Sequence, residues 1–135
     1  MIPAPAVTVL GLDPGTRKCG IAVLRAAGSQ PTLEIVPIDE LAGRLRAIVA
    51  ETHVDVAAVG RGTNAAAICA TVRALGLNVE LVDERETTLL ARARYFADHP
   101  PRGWRRLVPR GMLLPPRPID DYAALLIAER YLKGR

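Results

Sequence analysis

The sequence predicts an α/β domain built on a mixed five-stranded sheet, with three antiparallel strands followed by βα units and helices flanking the sheet. Two observations support this prediction. The apolar segments follow the order strand, strand, strand, and then alternate between helix and strand. The 135 residues, half of them apolar and about a quarter charged, also suffice for one hydrophobic core. We therefore treat residues 1–135 as a single domain.

The first three segments form the predicted antiparallel part of the sheet. Residues 6–12 form a buried apolar strand, and the turn Asp13-Pro14-Gly15-Thr16 ends it, because proline pre-sets φ and glycine permits a positive φ. Residues 19–25 resume as a strand and complete a hairpin. Residues 32–38 alternate well enough for a third strand.

Helix and strand alternate over the next part of the chain. Asp39 is the predicted N-cap of an amphipathic helix that ends near Thr52. Residues 54–60 form a short apolar strand. Asn64 is predicted to cap the second helix, and Gly76 is predicted to stop it.

The last elements enclose an unusual loop. Residues 78–82 form the fifth strand, and helices follow at about 88–97 and 119–133. Between these helices, residues 98–118 are predicted to be irregular and hold six of the eleven prolines. A loop of this length is uncommon in a compact domain, so we expect it to be functional, mobile or both. We call residues 98–118 the arginine loop.

The positive charge of the chain is local. The net charge is +4, yet residues 99–118 contain five arginines and no acidic residue, and the rest of the chain is close to balance. Such a basic segment suits the phosphate backbone of a nucleic acid, which arginine contacts without reading base sequence. Arginine outnumbers lysine 16 to 2, and a genomic composition bias would explain that ratio equally well.

Several classes of protein are excluded or made improbable by composition. No apolar run is long enough for a membrane-spanning helix. Two cysteines, Cys19 and Cys69, do not make a disulfide framework, and no Cys/His cluster has zinc-site spacing. Because no basic residue precedes an apolar stretch at the start, we expect no secretory signal and a cytoplasmic location.

Acidic residues fall at the ends of three separate elements. Asp13 ends the first strand, Asp83 and Glu84 end the fifth, and Asp120 and Asp121 open the last helix. Each acid alone is explained by a turn, a solvated strand end or the first turn of a helix. If folding brings the three positions together, their mutual repulsion calls for a divalent cation, and carboxylate oxygens suit Mg²⁺ or Mn²⁺.

These acids lie in three segments that resemble a known family. The segments are LGLDPGTRKCGIAV at 10–23, VDERETT at 82–88 and IDDYAA at 119–124. Their content and order are similar to those of the YqgF/RuvX family, which is associated with Holliday-junction resolution and with pre-16S rRNA processing. The intervals between the segments span nearly the whole chain.

The resemblance implies an RNase H-like fold and a nuclease that uses a divalent metal. Matched by motif position, its catalytic, metal-binding acids are Asp13, Glu84 and Asp120. Helical geometry barely separates Asp120 from Asp121, so Asp121 stays a candidate metal ligand. Glu84 is preferred to Asp83 on the family pattern alone.

Basic and polar residues near these segments and in the arginine loop are the candidate nucleic-acid contacts. They are Arg17, Lys18, Arg61, Asn64, Arg85, Arg102, Arg105, Arg106 and Arg110. The chain departs from the family at Gly60-Arg61-Gly62, where the family usually has Gly-x-Pro. Trp104 has two interpretations: it stacks on a base, or it anchors the loop onto the body of the domain.

Three further functions compete with a nuclease for structured RNA. A Holliday-junction resolvase would act on branched DNA and would need a dimer to place two active sites, so monomer and homodimer both stay open. A nucleic-acid-binding module would keep the fold without the catalysis. A nucleotide phosphate binder of the sugar kinase and actin type would use Asp13-Pro14-Gly15-Thr16 as its phosphate loop, but such proteins use two domains.

Overall fold

The computed structural model describes residues 7–25, 30–83, 87–109 and 114–133 of the chain. The strands are β1 (Thr8–Asp13), β2 (Lys18–Arg25), β3 (Thr32–Pro37), β4 (Val56–Gly60) and β5 (Val79–Val82). The helices are α1 (Ile38–Glu51), α2 (Ala65–Ala74), α3 (Thr87–Asp98) and α4 (Asp120–Lys133), with a 3-10 helix at Gly103–Leu107. The predicted order of elements and the mixed five-stranded sheet with flanking helices are confirmed.

The strand order places the ends of three strands at one edge. The order is β3-β2-β1-β4-β5, with β1 antiparallel to β2, parallel to β4, and β4 parallel to β5. The carboxyl ends of β1, β4 and β5 therefore lie together. Because β4 lies between them, β1 and β5 are not neighbours, and their backbones are separated by about 10 Å, or two strand spacings.

The period of two along β1 distributes its side chains between two cores. Leu10 and Leu12 point to a core shared with α1 and α2, whereas Val9 packs in a second core with Ile127 of α4. Gly11 faces α4 as well. A Cβ on Gly11 would lie 2.2 Å from the backbone oxygen of Ala124, so α4 packs directly onto the sheet backbone.

Two predicted helix caps are wrong in detail. Helix α1 begins one residue before Asp39, with Pro37 as N-cap and no side-chain capping bond. The backbone N–H of Ile38 instead donates to the oxygen of Arg17 at 2.9 Å. Asn64 does occupy the N-cap position of α2, but it makes no capping bond. Its side chain is used elsewhere, as described below.

The arginine loop is more ordered than its proline content predicts. Helix α3 extends to Asp98, and the 3-10 helix Gly103–Leu107 interrupts the segment that was expected to be irregular. Gly76 ends the turn after α2 with a φ of 85°, as predicted. Across the described ranges, no helix combines the length and apolar character needed to cross a membrane.

Candidate functional site

The β1–β2 hairpin and the start of α4 meet at the carboxyl edge of β1. In the register of the hairpin, Asp13 pairs with Gly20. A Cβ on Gly20 would lie 1.9 Å from the backbone oxygen of Asp120, so the first residue of α4 rests directly on the backbone of β2. Asp13 and Asp120 therefore flank the same short segment of β2, although 107 positions of sequence separate them.

Cys19 neighbours Gly20 on β2. Its side chain is completely buried and points to the core shared with α1 and α2. Burial, followed by the negative charges of Asp13 and then Asp120, raises the pKa of Cys19 to about 12. The thiol therefore stays protonated at neutral pH, and its Sγ donates to the oxygen of Gly20 at 3.4 Å. Sequence reasoning considered Cys19 only as a disulfide partner.

The two aspartates that open α4 have different surroundings. The side chain of Asp120 is one-third exposed, and its Oδ2 lies 3.4 Å from Nζ of Lys18. The side chain of Asp121 is only 8% exposed and receives two bonds from Arg117, at 3.2 and 3.3 Å. The backbone N–H of Tyr122 donates to the same carboxylate at 3.0 Å. Asp120 thus lies at the carboxyl edge of the sheet, whereas the carboxylate of Asp121 is nearly buried and held by hydrogen bonds.

Arg117 joins the end of the arginine loop to the aromatic side of α4. Its guanidinium carbon lies 5.3 Å from the ring centre of Tyr95 and 5.7 Å from that of Tyr122. The hydroxyl of Tyr122 donates to Oδ2 of Asp98 at 2.8 Å. Burial, together with this bond, raises the pKa of Tyr122 to about 12. Sequence analysis counted Arg117 only as part of the local charge and missed this structural role.

The loop between β4 and α2 is tied to the turn after β1. The side-chain amide of Asn64 donates to the oxygen of Gly15 at 3.3 Å. The backbone N–H of Arg61 donates to the oxygen of Val82 at 3.3 Å, while its side chain is exposed. Arg17 and Lys18 come two and three residues after Gly15, so two loops present basic side chains at the same edge as Asp13.

Other predicted site residues lie outside the described ranges or apart from Asp13. Glu84, Arg85 and Arg110 lie outside the described residues. Asp83 is exposed at the end of β5, separated from β1 by β4. The remaining candidates, Arg102, Arg105 and Arg106, belong to the segment around the 3-10 helix.

The described ranges hold no group of three or more His, Cys, Asp or Glu side chains able to bind a metal. The ligand set predicted from sequence includes Glu84, which is outside those ranges. Asp13 and Asp120 are the two members of that set that the structure describes, and both offer carboxylate oxygens. Mg²⁺ or Mn²⁺ as the cofactor stays a prediction.

Comparison with known proteins adds a distant structural likeness. No protein-family model matches the chain, and no curated protein matches it. Among solved structures, YeaZ from Pseudomonas aeruginosa is similar, with 25% sequence identity, a TM-score of 0.44 and coverage of 68% of this chain. The match spans 51% of the YeaZ chain, about half its length. Likeness at this level assigns neither a family nor a function, and the class that the fold defines is a mixed α/β domain.

Proposed function

We propose that this chain is a divalent-metal-dependent nuclease with an RNase H-like domain. It would hydrolyse phosphodiester bonds in structured RNA, with pre-16S rRNA as the substrate and the cytoplasm as its location. The observation that supports the proposal most is that Asp120, the first residue of α4, rests on the backbone of Gly20, the residue that pairs with Asp13 at the carboxyl end of β1. The ends of parallel strands are where α/β domains commonly gather their ligands.

The residues at this edge suit a hard cation. Asp13 and Asp120 place two carboxylates at the same end of the hairpin, and the ammonium of Lys18 already lies 3.4 Å from Asp120. Oxygen donors of this type favour magnesium or manganese over zinc. Asp13, Asp120 and, on the family pattern, Glu84 would hold the metal. When bound, such ions activate a water molecule and stabilise the leaving oxygen of a phosphodiester.

The chain's own basic residues would position the substrate. Arg17 and Arg61 are exposed beside the acidic edge, and each can contact a phosphate without reading the base. The first turn of α2 contains no acidic residue, so its N-terminus adds a favourable place for a phosphate. The bond from Asn64 to Gly15 would hold these two loops in a fixed relation while a polynucleotide binds.

A cleavage assay with matched substrates tests the proposal. Purified protein is incubated with single-stranded RNA, duplex DNA or a four-way DNA junction, in the presence of Mg²⁺ or Mn²⁺. We expect RNA cleavage that Asp13→Ala and Asp120→Ala each abolish. Asp39→Ala is the matched control, because Asp39 is an exposed acid in the first turn of a helix as well but lies on α1.

The same assay distinguishes the competing functions. Full activity in Asp13→Ala, or no cleavage of any substrate, would contradict the proposal. Preferential cutting of the junction would replace RNA processing by junction resolution. Binding by the wild type without any cutting, unchanged in Asp13→Asn, would assign the chain to non-catalytic nucleic-acid-binding modules.

A further inference from the structure

The 3-10 helix of the arginine loop exposes two large apolar side chains. Trp104 is 74% exposed and Leu107 is 87% exposed. In a 3-10 helix, residues three apart lie on the same side, so these two side chains form one face about 6 Å long. The interpretation of Trp104 as the anchor of the loop is therefore wrong.

The side chains that attach this helix to the rest of the domain lie on another side of it. Val108 packs against the aromatic cluster that contains Tyr95 and Tyr122. The guanidinium of Arg105 donates to the backbone oxygen of Leu114, which ties the helix to a later part of the loop. Arg105 and Val108 are three residues apart, so they share one side of the turn. The Trp104–Leu107 face is thus held outward by contacts made on another side of the same turn.

Two exposed arginines lie close to this face in the sequence. Arg102 and Arg106 are exposed, and neither side chain forms a hydrogen bond or an ion pair with any residue that the structure describes. No acidic residue occurs between residues 99 and 118. An aromatic face flanked by exposed guanidiniums complements a ligand that combines flat apolar rings with negative charge.

We propose that the Trp104–Leu107 face is a stacking platform for unpaired nucleotides, with Arg102 and Arg106 on the adjoining phosphates. Single strands offer the faces of their bases to aromatic side chains, whereas a duplex keeps those faces stacked inside. The choice of nucleic acid as the partner rests on the proposed function. The platform itself requires no metal and no cleavage, and it restricts the substrate to one with a single-stranded segment.

The fluorescence of Trp104 tests this assignment directly, because Trp104 is the only tryptophan in the chain. A single-stranded RNA of about ten nucleotides, within the usual span of such sites, is titrated into the full chain in the presence of a chelator. We expect quenching by the single strand and little quenching by the same sequence as a blunt duplex.

Variants measured with a fluorescently labelled RNA complete the test. Trp104→Ala is expected to weaken binding roughly 5- to 150-fold, the range for the loss of one stacked base, and Trp104→Phe is expected to restore most of it. Leu89→Ala is the control, since Leu89 is also a large, exposed apolar side chain but lies on α3. Arg106→Ala is expected to reduce the slope of log affinity against log salt by about 0.7.

The possible failures can be told apart. Equal affinity for the duplex, or unchanged affinity in Trp104→Ala, would overturn the platform. A change in Trp104 fluorescence with protein concentration alone would assign the face to a second copy of the chain. If Trp104→Ala cleaves RNA and binds it as tightly as the wild type, only this inference is refuted. If the wild type binds single strands without cleaving them, only the proposed nuclease activity is refuted.

Discussion

The acidic edge of the sheet and the arginine loop are built in different ways. At the edge, backbone packs on backbone, because Gly20 lets the first residue of α4 rest on β2. In the loop, individual side chains make the attachments, chiefly Val108, Arg105 and Arg117. The comparison indicates that the edge fixes its acids through the fold as a whole, whereas substitutions in the loop should act locally. Substitutions at Gly20, at the Asp120–Asp121 pair and at Tyr122 test this difference.

The largest effect is expected from Gly20→Ala. The added Cβ would meet the backbone oxygen of Asp120 at 1.9 Å and the nitrogen of Asp121 at 2.9 Å, so β2 and α4 must move apart. Overpacking of this kind lowers the free energy of unfolding by about 1–3 kcal/mol, and contacts with backbone favour the upper end. Chemical denaturation measures the change.

Gly43→Ala is the matched control for this substitution. A Cβ on Gly43 would meet only the tip of the Arg46 side chain, at 3.8 Å, and alanine has the higher helix propensity. We expect the free energy of unfolding to rise by about 0.5–1 kcal/mol. If Gly20→Ala were as stable as Gly43→Ala, the close packing of α4 on the sheet would be wrong.

An intermediate effect is expected where the edge meets the end of the loop. Asp121→Asn removes the charge from a nearly buried carboxylate that Arg117 pairs with, and should lower the free energy of unfolding by about 1–3 kcal/mol. Asp120→Asn removes an ion pair with Lys18 that is partly exposed, which is worth about 0–1 kcal/mol. Denaturation curves that rank the two variants in the reverse order would contradict the roles given to these neighbours.

A smaller effect than that of Asp121→Asn is expected from Tyr122→Phe. The hydroxyl of Tyr122 at the start of α4 bonds to Asp98 at the end of α3, so it joins the two elements that bracket the loop. Loss of this bond should lower the free energy of unfolding by about 1 kcal/mol at neutral pH. We expect hydrogen exchange to become faster at the amides of the arginine loop and to change little in the rest of the fold.

This bond also predicts a dependence on pH. The folded pKa of Tyr122 is raised from 10.0 to about 12. A raised pKa stabilises the folded chain below the unfolded value, and the contribution is lost as pH rises from about 10 to about 12. Stability measured across that range should fall more steeply in the wild type than in Tyr122→Phe. Parallel curves would show that the phenol of Tyr122 is not held as described.

The order of elements could be predicted because apolar periodicity is a local property of the sequence. Strand order and register are not local, and the pairing of Asp13 with Gly20 and the position of β4 between β1 and β5 came only from the structure. Asn64 shows the same limit. Its type and position predict a helix cap, yet its amide bonds Gly15, 49 residues away.

The candidate site could be predicted only in part for the same physical reason. The acids were found because they follow strands or open a helix, but helical geometry alone did not separate Asp120 from Asp121. Their difference arises from Arg117 and Lys18, which approach from other parts of the fold. The sequence could not predict whether Trp104 is exposed, because its burial depends on which side of the 3-10 helix packs against the rest of the domain.

Calorimetric titration of the protein with Mn²⁺, without any substrate, tests most directly whether Asp13 and Asp120 form one cation site. We expect binding in the wild type, loss of binding in Asp13→Asn and in Asp120→Asn, and retention in Asp121→Asn under conditions where that variant stays folded. Unchanged Mn²⁺ affinity in either Asp13→Asn or Asp120→Asn would contradict the shared site and, with it, the proposed chemistry.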